Sequence, residues 1–165
     1  MLWMEPPLVS ENTQVKTIGS VPLRVFMVSC VSILLFAATG KIVHLFQEST
    51  ILAFRDPIFP FLSVQQLIAV TAAIELLVLN VLLWNKDISL NLTIVTILGA
   101  CFCIYRAMLY LELGSEGFQC PCLGAAGGWI SRPLENAFVS AMACYLLIGS
   151  ALFLYLRKRR LAPLG

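Results

Sequence analysis

Cys120-Pro121-Cys122 is the part of the 165-residue chain whose residue types and spacing most directly suggest chemistry. Two cysteines two residues apart in a bent segment can bring their Cα atoms within the about 4.4–6.8 Å that a disulfide needs. The resulting ring is small and strained, and strain makes a disulfide easier to reduce. Such a pair favours exchange over stapling. Pro121 fixes one dihedral and removes a backbone donor, and Gly124 permits a tight turn after it. Two other readings stand beside redox exchange: a metal site, or two unrelated thiols. Zinc favours four ligands with paired spacings, and the chain holds a single histidine, His44. The remaining cysteines lie in apolar runs. Cys30 and Cys144 read as small core hydrophobes. Cys101 and Cys103 are two apart on an expected helix, where side chains point to nearly opposite faces, so they read as packing residues.

A second group of candidates consists of charges set in or against apolar sequence: Lys41, His44, Glu75 and Arg106. Lys41 and His44 are three apart and share a helix face. Arg106 falls about 7 Å inside the outer end of its segment at ~1.5 Å per residue. Cations near the thiols would favour the reactive thiolate, and the competing expectation is that Lys41 and Arg106 snorkel to lipid headgroups. Glu75 is the deepest charge, roughly 20 Å from the outer end by the same rise. Burial disfavours a charged carboxylate, so the sequence suggests a protonated acid bonded to Ser29, Ser32 or Thr96. Both a proton or quinone role and a structural interhelical bond are compatible with that position.

The elements that must position these residues follow from composition. The chain is 59% hydrophobic and only 12% charged, about half the ~25% charge of a soluble domain. Its mean hydropathy is +0.89. These values exclude a disordered chain, a nucleic-acid binder and most ordinary cytosolic enzymes. Four segments reach the about 20 apolar residues needed to span a bilayer: Val21–Val43, Phe61–Trp84, Ile88–Leu111 and Leu134–Leu156. They are too long and too uniform for barrel strands. Pro22, Pro57, Pro60, Pro121 and Pro133 fall at helix starts or in loops, where the missing N–H costs least. The expected fold is an all-α, integral membrane four-helix bundle spanning residues 21–156. Residues 1–20 form an N-terminal tail and 157–165 a basic tail.

Basic residues set the orientation. Lys16, Arg24, Lys86 and the run Arg157-Lys158-Arg159-Arg160 share one side. That side is expected to be cytoplasmic, with both termini. Residues 44–60 and 112–132 then face outward, where compartments can be oxidising. Residues 1–20 hold no apolar h-region, so the first span is expected to act as its own signal anchor. The second outer segment holds Gly114, Gly117, Gly124, Gly127 and Gly128, half of the 10 glycines, together with Phe118, Leu123, Trp129 and Ile130. Such a segment suits a lid over the outer end of the bundle.

Taken in order, Thr39-Gly40-Lys41, Asp56-Pro57, Glu75-Leu76 and Cys120-Pro121-Cys122-Leu123-Gly124 on a four-span frame resemble the methylamine-utilisation MauE proteins and the wider DoxX-like group. The resemblance covers roughly Arg24 to Leu156, and the Cys-x-Cys-x-Gly before the fourth span is its most specific part. Pro121 and Leu123 stand where the family pattern is closer to Gly and Phe. The resemblance implies a multi-pass protein of the bacterial plasma (inner) membrane. It also implies redox work, or maturation of an exported dehydrogenase of the methylamine-utilisation type, with Cys120 and Cys122 as the exchanging pair. The implied partners are the lipid bilayer and an exported or periplasmic thiol protein or dehydrogenase subunit. No covalently bound cofactor is expected, since no haem or flavin signature is present. A quinone or a second thiol protein would have to reset the cysteines. In the leading expectation the chain is a thiol–disulfide oxidoreductase, with Lys41, Arg106, His44 and Glu75 in support. A non-catalytic subunit or assembly factor of a respiratory oxidoreductase is the second. A small proton-linked transporter using Glu75 is the third, and the absence of broken helices at mid-depth weighs against it.

Overall fold

In a computed structural model of the protein, residues 20–46, 54–114 and 132–161 are described. They form four helices: α1 (Ser20–Leu45), α2 (Val64–Trp84), α3 (Ile88–Leu113) and α4 (Arg132–Leu161). Each is long and apolar enough to cross a membrane. Among the described residues, the single β pairing is the isolated bridge Arg55–Ser63. The fold is therefore the expected all-α four-helix bundle. Large side chains such as Val28, Leu77, Leu83 and Ile148 stay exposed on its outside. Exposure of that kind suits lipid and not water.

The element ends differ from the hydropathy boundaries for local reasons. α2 begins at Val64, not Phe61, because Ser63 caps it. The Ser63 hydroxyl accepts the Gln66 N–H at 3.2 Å, and the Gln66 side chain accepts the Ser63 N–H at 3.0 Å. This capping box satisfies two otherwise orphaned donors. α3 runs on to Leu113 and stops at Gly114, whose φ of 67° suits glycine. The basic tail after Leu156 is helical at its start. It continues α4 to Leu161, since Arg and Lys are good helix formers and suit the negative end of the helix dipole.

α1 packs along α2, and α3 packs along α4, while the two pairs meet each other more sparingly. Between α2 and α3 the chain reverses in three residues. Asp87 caps α3 by accepting the Ser89 N–H at 2.9 Å. The Asn85 and Asn91 side chains are linked at 3.1 Å, and Asn91 also donates to the Asn85 carbonyl at 3.0 Å. The end of the bundle that holds this turn is solid. Phe26, Cys30, Leu79, Leu82, Leu92 and Val95 form its core. The α3–α4 pair closes on small residues. A Cβ added at Gly99 would sit 2.8 Å from the backbone nitrogen of Leu147. Thr96 and Ser150 bond at 2.8 Å across the same interface, as small and hydroxylated residues commonly do between membrane helices.

Gly99→Ala is expected to lower the melting temperature in detergent, at a cost of about 1–3 kcal/mol from overpacking against rigid backbone. An unchanged melting temperature would contradict this close approach.

Candidate functional site

The seam of α1 repeats at helical spacing: Phe26, Cys30, Leu34 and Ala38 are all buried. The next position on that face, three residues on, is Lys41. On α2 the buried series Ile68, Ala72, Glu75, Leu79 and Leu82 forms the matching seam. Lys41 and Glu75 therefore meet where α1 faces α2. The Lys41 ammonium donates to Glu75 Oε1, and the side chains are 6% and 0% exposed. The pair is desolvated, so each charge depends on the other. Phe102 of α3 completes the setting, with its ring centre 5.4 Å from Lys41 Nζ.

This pairing corrects two expectations. Lys41 does not snorkel outward; its apolar stem carries the charge inward. Glu75 is bonded to Lys41 and not to the hydroxyl groups expected for it. Ser29 is engaged with the Phe26 carbonyl at 2.7 Å and with the Tyr145 hydroxyl at 2.7 Å. Thr96 is engaged with Leu92 and Ser150. Glu75 also lies nearer the start of its helix than the hydropathy boundary implies. Starting α2 at Val64 removes about 4.5 Å at ~1.5 Å per residue, and the long lysine stem reaches inward.

The second carboxylate oxygen, Glu75 Oε2, is buried and has no hydrogen-bond partner among the described residues. Glu75 lines a cavity of about 290 Å³ between the two helix pairs. Leu34, Ile68, Leu98, Phe102 and Met142 supply much of its apolar wall. The polar side chains around it are already engaged. Thr71 donates to the Ile68 carbonyl at 3.0 Å. Arg106 donates to the Asn136 carbonyl at 3.1 Å and to its side-chain oxygen at 3.4 Å, linking α3 to α4.

The segment before α2 covers one end of this cavity. Asp56 is 2% exposed. Its Oδ1 accepts the N–H groups of Ile58 and Phe59, both at 2.9 Å, and its Oδ2 accepts the Tyr105 hydroxyl at 2.7 Å. The Asp56 N–H donates to the Leu62 carbonyl at 3.0 Å. A carboxylate holding three donors fixes this turn onto α3. Phe59 stacks on Tyr105 with centroids 6.2 Å apart and planes 2° from parallel, and both rings line the cavity. Residue-type reasoning noted Asp56-Pro57 only as part of a family pattern and passed over Tyr105. The available signal was the Asp-Pro dipeptide, a turn initiator with its side chain free to bond the following backbone.

Of the other expected site residues, His44 lies in the last turn of α1. Cys120 and Cys122 lie outside the described residues. The segment that holds them joins the end of α3 to the start of α4. Cys30 is buried in the core as expected, whereas Cys144, also expected in the core, is exposed on α4; Cys101 and Cys103 are free thiols on α3. Cys103 interacts with Cys144 across that interface, a contact that spacing alone does not reveal. Among the described residues, no group of three His, Cys, Asp or Glu could hold a metal ion. No family model, curated protein or solved structure matches the chain.

Removing one partner of a desolvated ion pair costs about 3–5 kcal/mol, because the other charge is stranded. Lys41→Met and Glu75→Gln are each expected to destabilise the bundle in detergent unfolding. The double variant is expected to cost less than the sum of the two, by at least ~1 kcal/mol. Strict additivity would contradict the pairing.

Proposed function

We propose that the protein is a MauE/DoxX-like thiol–disulfide redox protein of the bacterial plasma membrane, with both termini cytoplasmic. In this reading Cys120 and Cys122 cycle between dithiol and disulfide. The observation that carries it is the Cys120-Pro121-Cys122 spacing in a connection between two membrane-spanning helices. A disulfide closed over a single intervening residue forms a small ring, which suits exchange. In each cycle the Cys120–Cys122 disulfide takes two electrons and two protons from a dithiol of an exported partner. The partner's thiols become a disulfide. An exported dehydrogenase subunit rich in cysteine is the kind of partner that such chemistry serves. α3 and α4, which pack along each other, are the two helices that the segment holding the pair connects.

A second reading has support from the buried carboxylate. A proton-linked carrier built on Glu75 would use its Oε2 as the proton-accepting atom. The non-catalytic subunit would need neither the thiols nor Glu75.

Thiol trapping in intact membranes separates these readings. The redox reading predicts that Cys120 and Cys122 are recovered partly as a disulfide, which dithiothreitol opens to two alkylatable thiols. It also predicts that Cys120→Ser accumulates a mixed disulfide between Cys122 and an exported protein. Permanently reduced, exchange-inert cysteines would contradict it. Loss of function in Glu75→Gln with Cys120→Ser still active would favour the carrier.

A further inference from the structure

We propose that the cavity between the helix pairs is a binding site for the ring of a lipophilic quinone or quinol, with its polar end at the Lys41–Glu75 pair. The choice of a redox-active ring rests on the thiol–disulfide reading; the polarity and size of the occupant rest on the cavity itself. Glu75 Oε2 is buried without a donor among the described residues, and an unsatisfied buried acceptor costs about 1–3 kcal/mol, more when charged. A hydroxyl on the occupant would satisfy this oxygen, so the site favours a ligand that carries an O–H in its reduced state. An ammonium carries three N–H donors, and one of those on Lys41 goes to Glu75 Oε1. A ligand oxygen beside the pair can accept from Lys41 while its hydroxyl donates to Oε2. A quinol provides both from one end of the ring, and a quinone provides the acceptor.

The rest of the cavity asks for an apolar, flat body. Its remaining walls are largely aliphatic, and Phe59, Phe102 and Tyr105 offer ring faces or edges. At about 290 Å³ it lies near the lower end of the ~300–1,000 Å³ typical of small-molecule sites. That is room for a substituted ring and not for a whole phospholipid. A hydrocarbon chain alone would fill the walls but offer neither an acceptor to Lys41 nor a donor to Oε2. Water alone would serve Oε2 but not the aliphatic walls, which stay dry by preference. The two helix pairs meet only sparingly, so an isoprenoid tail can leave between them into the bilayer. The electron count also closes. Oxidation of the Cys120 and Cys122 thiols to a disulfide releases two electrons and two protons, and reduction of a quinone to a quinol takes up two of each.

The test uses the full chain in quinone-free phosphatidylcholine nanodiscs and decylubiquinone as the probe. Wild type is expected to bind it saturably, with decane failing to compete. Ala143→Trp, which fills the cavity, is expected to weaken binding at least tenfold, and Glu75→Leu to weaken reduced decylubiquinone more than the oxidised form. An azido-quinone photolabel on wild type removes any dependence on variant folding. It is expected to mark α2 and α3 beside Glu75 and Phe102, and excess decylubiquinone is expected to prevent this. Labelling elsewhere, or equal competition by decane, would overturn the site. The Cys120→Ser/Cys122→Ser chain is expected to bind decylubiquinone as wild type does. Saturable binding together with inert thiols would sink the redox reading and leave the site standing. Active thiols without saturable binding would overturn the site and leave the redox reading standing.

Discussion

A charge inside an apolar bundle has to find its opposite, and the Lys41–Glu75 pair is where this protein meets that requirement. Both side chains are withdrawn from solvent and lipid. The pair has a registry role: only one alignment of α1 on α2 brings the two charges together, because the seam residues on either side are apolar. A slip of one helical turn would bury each charge against hydrocarbon, at several kcal/mol per ion. The hydrophobic residues make four helices. The ion pair helps to decide how two of them meet.

That constraint has consequences at the two ends of the bundle. At the end with the α2–α3 turn, Phe26, Leu82, Leu92 and Val95 pack into a continuous core, and the asparagine-linked turn holds the pairs together. Toward the other end, Lys41, Glu75 and Arg106 line a largely apolar cavity in place of a continuous core. Its cover is built with another buried carboxylate. Asp56 satisfies backbone donors of its own turn and ties them to Tyr105 of α3. Two buried acids thus do opposite work. Asp56 has its oxygens occupied and rigidifies; Glu75 has one oxygen unoccupied and offers a site.

Much of the architecture was legible from residue types. Hydropathy and proline placement found all four helices, since such long, nearly uncharged apolar runs suit a membrane. The helix ends were less legible, because they depend on caps such as Ser63 with Gln66 and not on hydropathy. That small difference matters: an α2 begun at Phe61 sets Glu75 about 4.5 Å deeper in its helix than it lies. Side-chain reach misled further, since a lysine near a helix end can turn inward as readily as outward. Asp56–Tyr105 and Cys103–Cys144 join residues 49 and 41 positions apart, and no local pattern encodes such contacts. The Cys120-Pro121-Cys122 motif was readable as chemistry from sequence, and its geometry lies outside the described residues.

The register of α1 on α2 depends on Glu75 being an ionised carboxylate held by Lys41. Infrared spectroscopy of the chain in nanodiscs, with glutamate isotopically labelled and Glu75→Gln as the subtraction, reads that state directly. The predicted result is a carboxylate band for Glu75 in wild type, replaced by a protonated carbonyl band in Lys41→Met. A protonated carbonyl band already present in wild type at neutral pH would contradict the ion pair and the register it sets.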